Sequence, residues 1–280
     1  NQPEWLIQFF EKKYGMEQSK KILKAFNTVP DTCIRVNTLK ITTDAIKKQL
    51  KLKNISVEDI PYIQEGLSIK TGADTLFSEF LQTGLLYVQT ASSMIPAKVL
   101  GPDAGDHVLD MCAAPGSKTT HIAALMGNRG SIDAWDVYPH KVKLIKDIAK
   151  RLGISIIHTE VRDSVKPLPF LYETYDKVLL DAPCSGLGVL GHKVELRWRR
   201  KESDLSVFPP LQKQLIEQAA KYTKTGGVLV YSTCTLNPDE NEHIINEFLS
   251  LHSEFAPEEF NFPVLGKSLN GMMTLYPDLV

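Results

Sequence analysis

Five short apolar runs at regular spacing constrain this fold more than any other feature. From residue 105 onward the runs are "HVLD" (107–110), "SIDAWD" (131–136), "SIIHT" (155–159), "KVLLD" (177–181) and "GVLVYS" (227–232), and helical patterns separate them. This alternation predicts a parallel sheet with helices on both faces, because parallel strands need crossover connections. We therefore predict an α/β fold built on a doubly wound, mostly parallel sheet, with ligands beyond the carboxyl ends of its strands.

The first 85 residues follow a different pattern. The expected elements are a helix in "PEWLIQFFEKKYG" (3–15), a second helix from Glu17 to Phe26, a strand in "TCIRVNT" (32–38) and a Thr-capped helix in "TTDAIKKQLKLK" (42–53). These elements predict a smaller N-terminal α+β domain over residues 1–85. The doubly wound domain is expected over residues 86–280.

Composition excludes several classes of protein. A chain of 280 residues with 43% hydrophobic residues can bury a large core, and no apolar run approaches the roughly 20 residues that span a bilayer. The start lacks the order of a signal peptide, so we expect a cytoplasmic protein away from membranes, and we take it to be a monomer. Its four cysteines have no CxxC spacing and its seven histidines form no cluster, so we expect neither a disulfide framework nor a metal site.

Positive charge is concentrated in two parts of a chain whose net charge is −1. Residues 1–85 carry 12 Lys and Arg against 10 Asp and Glu, and "KVELRWRRK" (193–201) carries five positive charges against one negative. Acidic residues outnumber basic ones after Lys201. This distribution is typical of a protein that holds a nucleic acid on one side.

The segment "MCAAPGSKTT" (111–120) resembles a phosphate-binding loop but lacks the required glycines. A P-loop needs GxxxxGK[ST] and a dinucleotide site needs GxGxxG, whereas this segment has the single glycine Gly116. What remains is a small-residue turn between a strand and a helix, which lets a ligand approach the backbone and favours a carboxylate at the helix N-terminus. The alternative is a tight turn that binds nothing.

Carboxylates follow the next two predicted strands. Asp136 ends the second run, where it could accept both hydroxyls of a ribose, and Asp163 follows the third run, where an adenine amino group could donate to it. A helix cap and a loop carboxylate are the respective alternatives. Together with the turn, these positions predict a site for an adenosine that bears an amino acid.

Two cysteines follow the last two predicted strands. "DAPCSG" (181–186) contains Cys184 and "STCT" (232–235) contains Cys234. A single buried cysteine is usually inert packing, but two at adjacent strand ends favour a role in chemistry. After Cys234, we expect Asn237 to cap a helix that has Pro238 in its first turn and Glu240 as its capping-box acid.

In this order and spacing, "DMCAAPGSKTTH", "DAPCSG" and "YSTCTLNPDENE" resemble the motifs of the RNA cytosine-5 methyltransferases that use S-adenosylmethionine. The resemblance also covers "IRVNTLK" and "YVQTASSMIPAKVL", and within the family it is strongest to the bacterial branch that methylates small-subunit ribosomal RNA. It implies a Rossmann-like methyltransferase domain with an N-terminal RNA-binding domain. Relatives commonly extend beyond both ends of this region, so we expect the chain to be part of a longer protein.

The resemblance also implies roles for individual residues. The cofactor-binding residues would be Cys112, Ala113, Ala114, Pro115, Gly116, Ser117 and Lys118 at the methionine end, Asp136 at the ribose, Asp163 near the adenine, and Asp181. Ser117 stands where the family usually has a second glycine. The catalytic residues would be Cys234 as nucleophile, Cys184 in product release and Asp181 at the target base.

The chemistry explains why two thiols are needed. Cytosine C5 is too weak a nucleophile to attack a methyl sulfonium directly, whereas addition of a thiolate to C6 makes C5 electron-rich. Cys234 would make that addition, and Asp181, as a protonated hydrogen-bond donor, would relieve the negative charge that develops toward N3. The C5 proton must leave before the thiol is eliminated, and Cys184 or a water that it positions is the candidate base.

The basic segment 193–201 is the expected RNA contact beyond the target base. Arg197, Arg199 and Arg200 could hold backbone phosphates and Trp198 could stack on a base, or the segment is a solvated face with its tryptophan in the core. The same chemistry on tRNA is an alternative, as is a non-catalytic RNA-binding scaffold. The absence of GxGxxG argues against a nicotinamide oxidoreductase, and no histidine is placed for a thiol protease.

Overall fold

The computed structural model describes residues 2–71 and 79–277. Packing divides the chain into two compact units, each assembled from separate stretches of sequence. The first unit comprises Asn1–Pro30, Ala182–Glu217 and Ser232–Val280, and the second comprises Asp31–Asp181 and Gln218–Tyr231. The sequence-based division at residue 85 concerns continuous domains and stays a prediction.

Helices account for much of the described chain. They are α1 (Glu4–Ala25), α2 (Thr43–Leu52), α3 (Ala91–Leu100), α4 (Ser117–Leu125), α5 (Pro139–Leu152), α6 (Leu196–Arg199), α7 (Phe208–Tyr222) and α8 (Glu242–Leu251). Short 3-10 helices cover Pro169–Leu171, Glu202–Ser206 and Pro238–Glu240. Within the described ranges, every helix is too short or too polar to span a bilayer.

The second unit contains a small antiparallel sheet. Its strands are β1 (Thr32–Val36), β2 (Ser56–Ile60), β3 (Ile63–Thr71) and β4 (Leu86–Val88), in the order β2-β3-β1-β4. Ile34 and Leu67 of the sheet form one buried core with Ile46 of α2. The Thr42 side chain caps α2 by accepting from the backbone N–H of Ala45, as the sequence predicted.

The larger sheet of the second unit confirms the doubly wound α/β prediction. Its strands are β5 (His107–Asp110), β6 (Ser131–Asp136), β7 (Ile157–Val161), β8 (Tyr175–Asp181) and β9 (Thr223–Ser232), in the order β7-β6-β5-β8-β9. The pairs β5–β6, β5–β8 and β6–β7 are parallel. Chain order reverses beside β5, and in open α/β sheets ligands bind at such a switch point.

The strands of the larger sheet form where the predicted apolar runs are buried. Val108, Ile132 and Leu179 are fully buried in one core cluster, since central parallel strands are covered on both faces. The first two predicted runs match β5 and β6 residue for residue, whereas β7 begins two residues later than its predicted run.

The first unit is built around α1. The helix is kinked at Gly15, whose φ of 74° is a left-handed conformation that glycine adopts without strain. The kink separates the two helices that the sequence predicted. The unit's apolar core consists of Leu6, Phe10, Ile22, Phe26, Leu187, Leu190 and Leu236. The strands β10 (Asn261–Phe262) and β11 (Gly266–Lys267) form a short hairpin.

Candidate active site

The small-residue turn after β5 lies at the switch point of the larger sheet. Gly116 precedes α4 with a φ of 104°, and a Cβ added there would lie 3.3 Å from atoms of Ile145 in α5. The Ala113 N–H donates to the carbonyl of Trp135 at 2.8 Å, which ties the turn to β6. Glycine therefore allows a backbone conformation and a close approach that other residues would strain.

Asp110, the last residue of β5, is a buried carboxylate with an incomplete set of partners. Its Oδ2 accepts a hydrogen bond from the Thr119 hydroxyl at 2.7 Å, whereas Oδ1 finds no partner among the described residues. Burial, with the nearby charge of Asp181, raises the pKa of Asp110 to about 7. The Cys112 backbone N–H also donates to this carboxyl group. A buried acceptor without a donor is rare in native proteins, so Oδ1 is a candidate contact for a water or a bound group.

Lys118 and Asp181 form an ion pair in the same unit. The Lys118 Nζ lies 2.6 Å from Asp181 Oδ2, and both side chains are mostly shielded from solvent. The structure thus brings Lys118, which the family resemblance assigns to the cofactor, into contact with Asp181, which it assigns to both cofactor and target base. An ion pair of this kind holds the Asp181 carboxylate in one orientation.

The other predicted cofactor carboxylates lie at the ends of β6 and β7. Asp136 is almost fully buried and its Oδ1 accepts from the backbone N–H of Tyr138 at 2.9 Å. Asp163 is more exposed and accepts from the N–H of Val165 at 3.2 Å. Each carboxylate therefore shapes its own turn, and either can also accept from a ligand, since a carboxylate has about four acceptor positions.

Cys112 lies among these carboxylates. Burial, and then the charges of Asp110, Asp181 and Asp136, raise the pKa of its thiol well above the usual range, so it stays neutral. Lys141 opposes this effect. Clustered carboxylates and a turn of small residues fit a nucleoside that carries a positively charged amino acid.

Arg35 supports the turn from the small sheet, and sequence reasoning missed it. Its buried guanidinium donates to the Ser117 carbonyl at 2.7 Å, to the Thr120 hydroxyl at 2.9 Å and to the Gln89 side chain. The signal in the sequence was an arginine inside an otherwise apolar strand. A buried arginine is stable only when its donors are satisfied, so β1 and the first turn of α4 hold one another in place.

A second polar contact joins the small sheet to α4. The His121 ring is fully buried and its Nε2 lies 2.6 Å from Glu65 Oε1, while Nδ1 has no partner among the described residues. Burial and the nearby charge of Arg35 lower the pKa of His121 to about 4. The imidazole is therefore neutral near pH 7, with Nε2 as its donor.

The two cysteines of the first unit lie side by side. Their sulfurs are 3.2 Å apart, and the Cys234 N–H donates to the Cys184 sulfur at 3.3 Å. Cys234 is exposed and Cys184 is half-buried. A Cβ at Gly188 would lie 2.9 Å from the Cys234 carbonyl oxygen, so the glycine allows the two turns to approach. The arrangement supports covalent chemistry by one thiol with the other at hand.

Glu240 does not form the capping box that the sequence predicted. Asn237 caps a 3-10 helix, with Pro238 in its first turn, but α8 begins only at Glu242. The Glu240 carboxylate is fully buried and accepts from Ser185, Gln212 and Asn237 rather than serving as a capping-box acid. The capping-box prediction was wrong because the carboxylate accepts instead from the distant Ser185 and Gln212 and from the Asn237 side chain.

The basic segment divides into buried and exposed parts. Arg197 is buried and donates to the carbonyls of Leu190 and Phe26, so it is corrected from an RNA contact to a structural residue. Arg200 donates through Nε to the Ser185 carbonyl at 2.9 Å. Arg199 is exposed, and Trp198 is 64% exposed, which excludes a tryptophan anchored in the core.

Metal ligands do not cluster in the described part of the chain. No group of three or more His, Cys, Asp or Glu side chains there could hold a metal ion.

Family comparisons match both parts of the chain. The family described as 16S rRNA methyltransferase RsmB/F matches residues 97–279. A ferredoxin-like domain described as Methyltr_RsmF/B-like matches residues 2–75. The first match covers all strands of the larger sheet, and the second covers β1, β2 and β3 of the small sheet.

Individual relatives give the same picture. The chain is 38% identical to "Probable ribosomal RNA small subunit methyltransferase B" of Bacillus subtilis (strain 168), over 91% of this chain and 57% of that protein. It is 41% identical to "Ribosomal RNA small subunit methyltransferase F" of Erwinia tasmaniensis, over 81% of this chain and 48% of that protein. The chain thus spans about half the length of these curated relatives.

A solved structure with a similar fold is that of NSun6 from Pyrococcus horikoshii with SFG. Its TM-score to this chain is 0.86 at 26% sequence identity, and the match covers 99% of this chain and 94% of that one.

Proposed function

Since the chain belongs to the family of 16S rRNA methyltransferases RsmB/F, we propose that it transfers a methyl group from S-adenosylmethionine to C5 of a cytosine in RNA. Small-subunit ribosomal RNA is the proposed substrate, because the family description and the curated relatives name it. The observation that carries the cytosine chemistry is the 3.2 Å separation of the Cys184 and Cys234 sulfurs. We further propose that the protein acts as a cytoplasmic monomer without a metal.

The two thiols divide the covalent steps. Cys234 is the proposed nucleophile because its side chain is the more exposed, and its thiolate adds to C6 of the cytosine. C5 then takes the methyl group and loses its proton to the Cys184 thiolate, or to a water that Cys184 positions. The bond between the Cys234 sulfur and C6 breaks last, which returns the thiolate and releases 5-methylcytosine.

The residues at the switch point fit the proposed cofactor. Bound S-adenosylmethionine supplies an electrophilic methyl group. Asp110 Oδ1 can accept a hydrogen bond from the ammonium group of the methionine part. Asp136 can accept from the ribose hydroxyls and Asp163 from the adenine amino group. Asp181, held by Lys118, would act on both the cofactor and the target base.

The proposed RNA contacts outside the base are Trp198 and Arg199. Both side chains are exposed, so one can stack on a base and the other can meet a phosphate. The target cytosine must lie in a loop or be flipped out, because C6 is not accessible to a thiolate within a stacked duplex.

Replacing each thiol tests the proposal. The substrate is a small-subunit ribosomal RNA transcript with methyl-labelled S-adenosylmethionine, and the readouts are methyl incorporation and a covalent protein–RNA band under denaturing conditions. We expect Cys234→Ala to abolish both, and Cys184→Ala to accumulate the covalent band. Cys33→Ala, which changes a half-buried thiol in β1, is the matched control and should retain activity.

The outcomes separate the alternatives. A covalent band that requires Cys184 instead of Cys234 would exchange the two roles. Methylation that survives Cys234→Ala would refute the covalent mechanism, and RNA binding without methyl transfer by the unaltered protein would indicate a non-catalytic scaffold.

A further inference from the structure

A buried carboxylate in the first unit joins the turns that carry the two cysteines. Glu240 Oε2 accepts from the Ser185 N–H at 2.8 Å and from Gln212 Nε2 at 3.1 Å. Its Oε1 accepts from the Ser185 hydroxyl at 2.5 Å and from Asn237 Nδ2 at 3.1 Å. The side chain is fully buried. Four donors therefore converge on one carboxylate, which is the acceptor best suited to them.

These donors hold the residues next to the thiols. Ser185 follows Cys184 in the chain, and Gln212 Nε2 also donates to the carbonyl of Pro183, which precedes Cys184, at 2.9 Å. The Cys184 turn is thus tied to Glu240 directly through Ser185 and indirectly through Gln212.

The second cysteine turn is tied to the same group. Thr235 follows Cys234, and its hydroxyl lies 2.7 Å from the hydroxyl of Ser185. The Gly188 N–H donates to the Cys234 carbonyl at 2.9 Å, which adds a backbone link between the turns. Ser185 therefore lies between Glu240 and the Cys234 turn.

We propose that Glu240 is a positioning residue that sets the separation of the two sulfurs through Ser185 and Thr235. The inference rests on the proposed function only for its catalytic consequence, since the separation itself is a property of the folded chain. Glutamine has the same shape but presents an NH₂ group to donors, so Glu240→Gln must break part of the network while leaving little empty space.

A reagent that reports the separation does not depend on catalysis. Phenylarsine oxide condenses with two neighbouring thiols to form two As–S bonds and releases one water. The second bond gains from the high effective concentration of a well-placed thiol, so affinity falls when the two sulfurs are held apart. The Cys184→Ala variant gives the affinity of phenylarsine oxide for a single thiol.

We expect Glu240→Gln to weaken phenylarsine oxide binding at least about tenfold, toward the value of the single-thiol variant. We also expect kcat to fall roughly 10- to 100-fold, because small displacements of reacting groups have effects of that size. The Kd for S-adenosylmethionine and the KM for RNA should stay within about twofold when rates are normalised to the cofactor-binding fraction. Glu247→Gln, an exposed carboxylate of α8 paired with Lys213, is the matched control.

Wild-type arsenical affinity and wild-type kcat in Glu240→Gln would overturn the inference, as would a loss of kcat without any change in arsenical affinity. Weakened arsenical binding to Glu240→Gln would support it even if the unaltered protein transferred no methyl group, and in that case only the proposed function fails. Should Glu240→Gln not fold, Ser185→Ala removes one link of the same network and should produce the same changes at smaller size. Wild-type behaviour of Ser185→Ala would then refute the inference.

Discussion

Two buried carboxylates, one in each unit, differ in how completely they are satisfied. Glu240 of the first unit accepts from four donors, whereas Asp110 of the second accepts from Thr119 and has an oxygen without a partner among the described residues. A satisfied carboxylate stabilises the fold around it, and an unsatisfied one destabilises the fold until a ligand supplies a donor. The comparison distinguishes Glu240, a carboxylate that positions other protein groups, from Asp110, a carboxylate that can bind a ligand.

Replacement of each carboxylate by its amide should have opposite effects on stability, and this is the largest expected difference. The pKa of Asp110 is raised to about 7, so between pH 4 and 7 the folded state holds a proton that the unfolded state loses. The free energy of unfolding therefore falls as pH rises through this range. Asp110→Asn should be more stable than the wild type by roughly 4 kcal/mol at pH 8 and about equally stable near pH 4.

At Glu240 the same change should destabilise. Glu240→Gln leaves donors facing an NH₂ group and should lower the free energy of unfolding by roughly 1 to 3 kcal/mol. Denaturant unfolding of the cofactor-free variants measures both effects. The comparison fails if both amides shift stability in the same direction at pH 8.

The pH dependence of cofactor binding should follow Asp110 alone, with an effect of intermediate size. If the ammonium of S-adenosylmethionine binds the ionised form, affinity should fall about tenfold for each pH unit below 7, because binding then requires loss of a proton. Asp110→Asn should bind more weakly and without this slope between pH 5 and 7. Glu240→Gln should keep the slope, and calorimetric titration distinguishes the two variants.

The smallest effect of a substitution is expected in the basic segment 193–201, at Arg199, where neither Asp110 nor Glu240 has a role. Arg199→Ala should reduce the slope of log affinity for RNA against log salt concentration by about one, with little change in stability, since Arg199 is exposed. Arg200 lies one residue further on but donates to the carbonyl of Ser185, the residue after Cys184. Arg200→Ala should therefore lower kcat in addition to any effect on RNA affinity. Equal RNA affinity and salt dependence in Arg199→Ala and the wild type would remove this segment from the proposed RNA surface.

Much of the fold could be predicted because its signals are local. The apolar runs at 107–110 and 131–136 match β5 and β6, and the Thr42 cap lies where it was expected. β4, by contrast, begins at the boundary between the two predicted domains and was not predicted as a strand, yet it pairs with β1. A strand of three residues is too short to show a hydrophobic pattern of its own. Only its pairing with β1 therefore assigns it to a sheet.

Sequence reasoning named cysteines and carboxylates for the candidate site, but it did not find the residues that hold them in place. The two cysteines were expected near one another, and their sulfurs are in contact. Arg197 was expected beside Arg199 on the RNA surface, yet it turns inward to carbonyls, one of them 171 residues away. Sequence spacing places a side chain on an element, but it does not say which distant backbone groups need a donor.

The amino-acid sequence by itself determined the alternation of strands and helices and the order of the chemical groups at the strand ends, since both depend on neighbours along the chain. Only the tertiary structure decided that Glu240 is enclosed by donors and that Asp110 Oδ1 has no partner among the described residues. Ser185 and Gln212 lie 55 and 28 residues from Glu240, and hydrogen-bond satisfaction of a buried group depends on which distant segments meet around it.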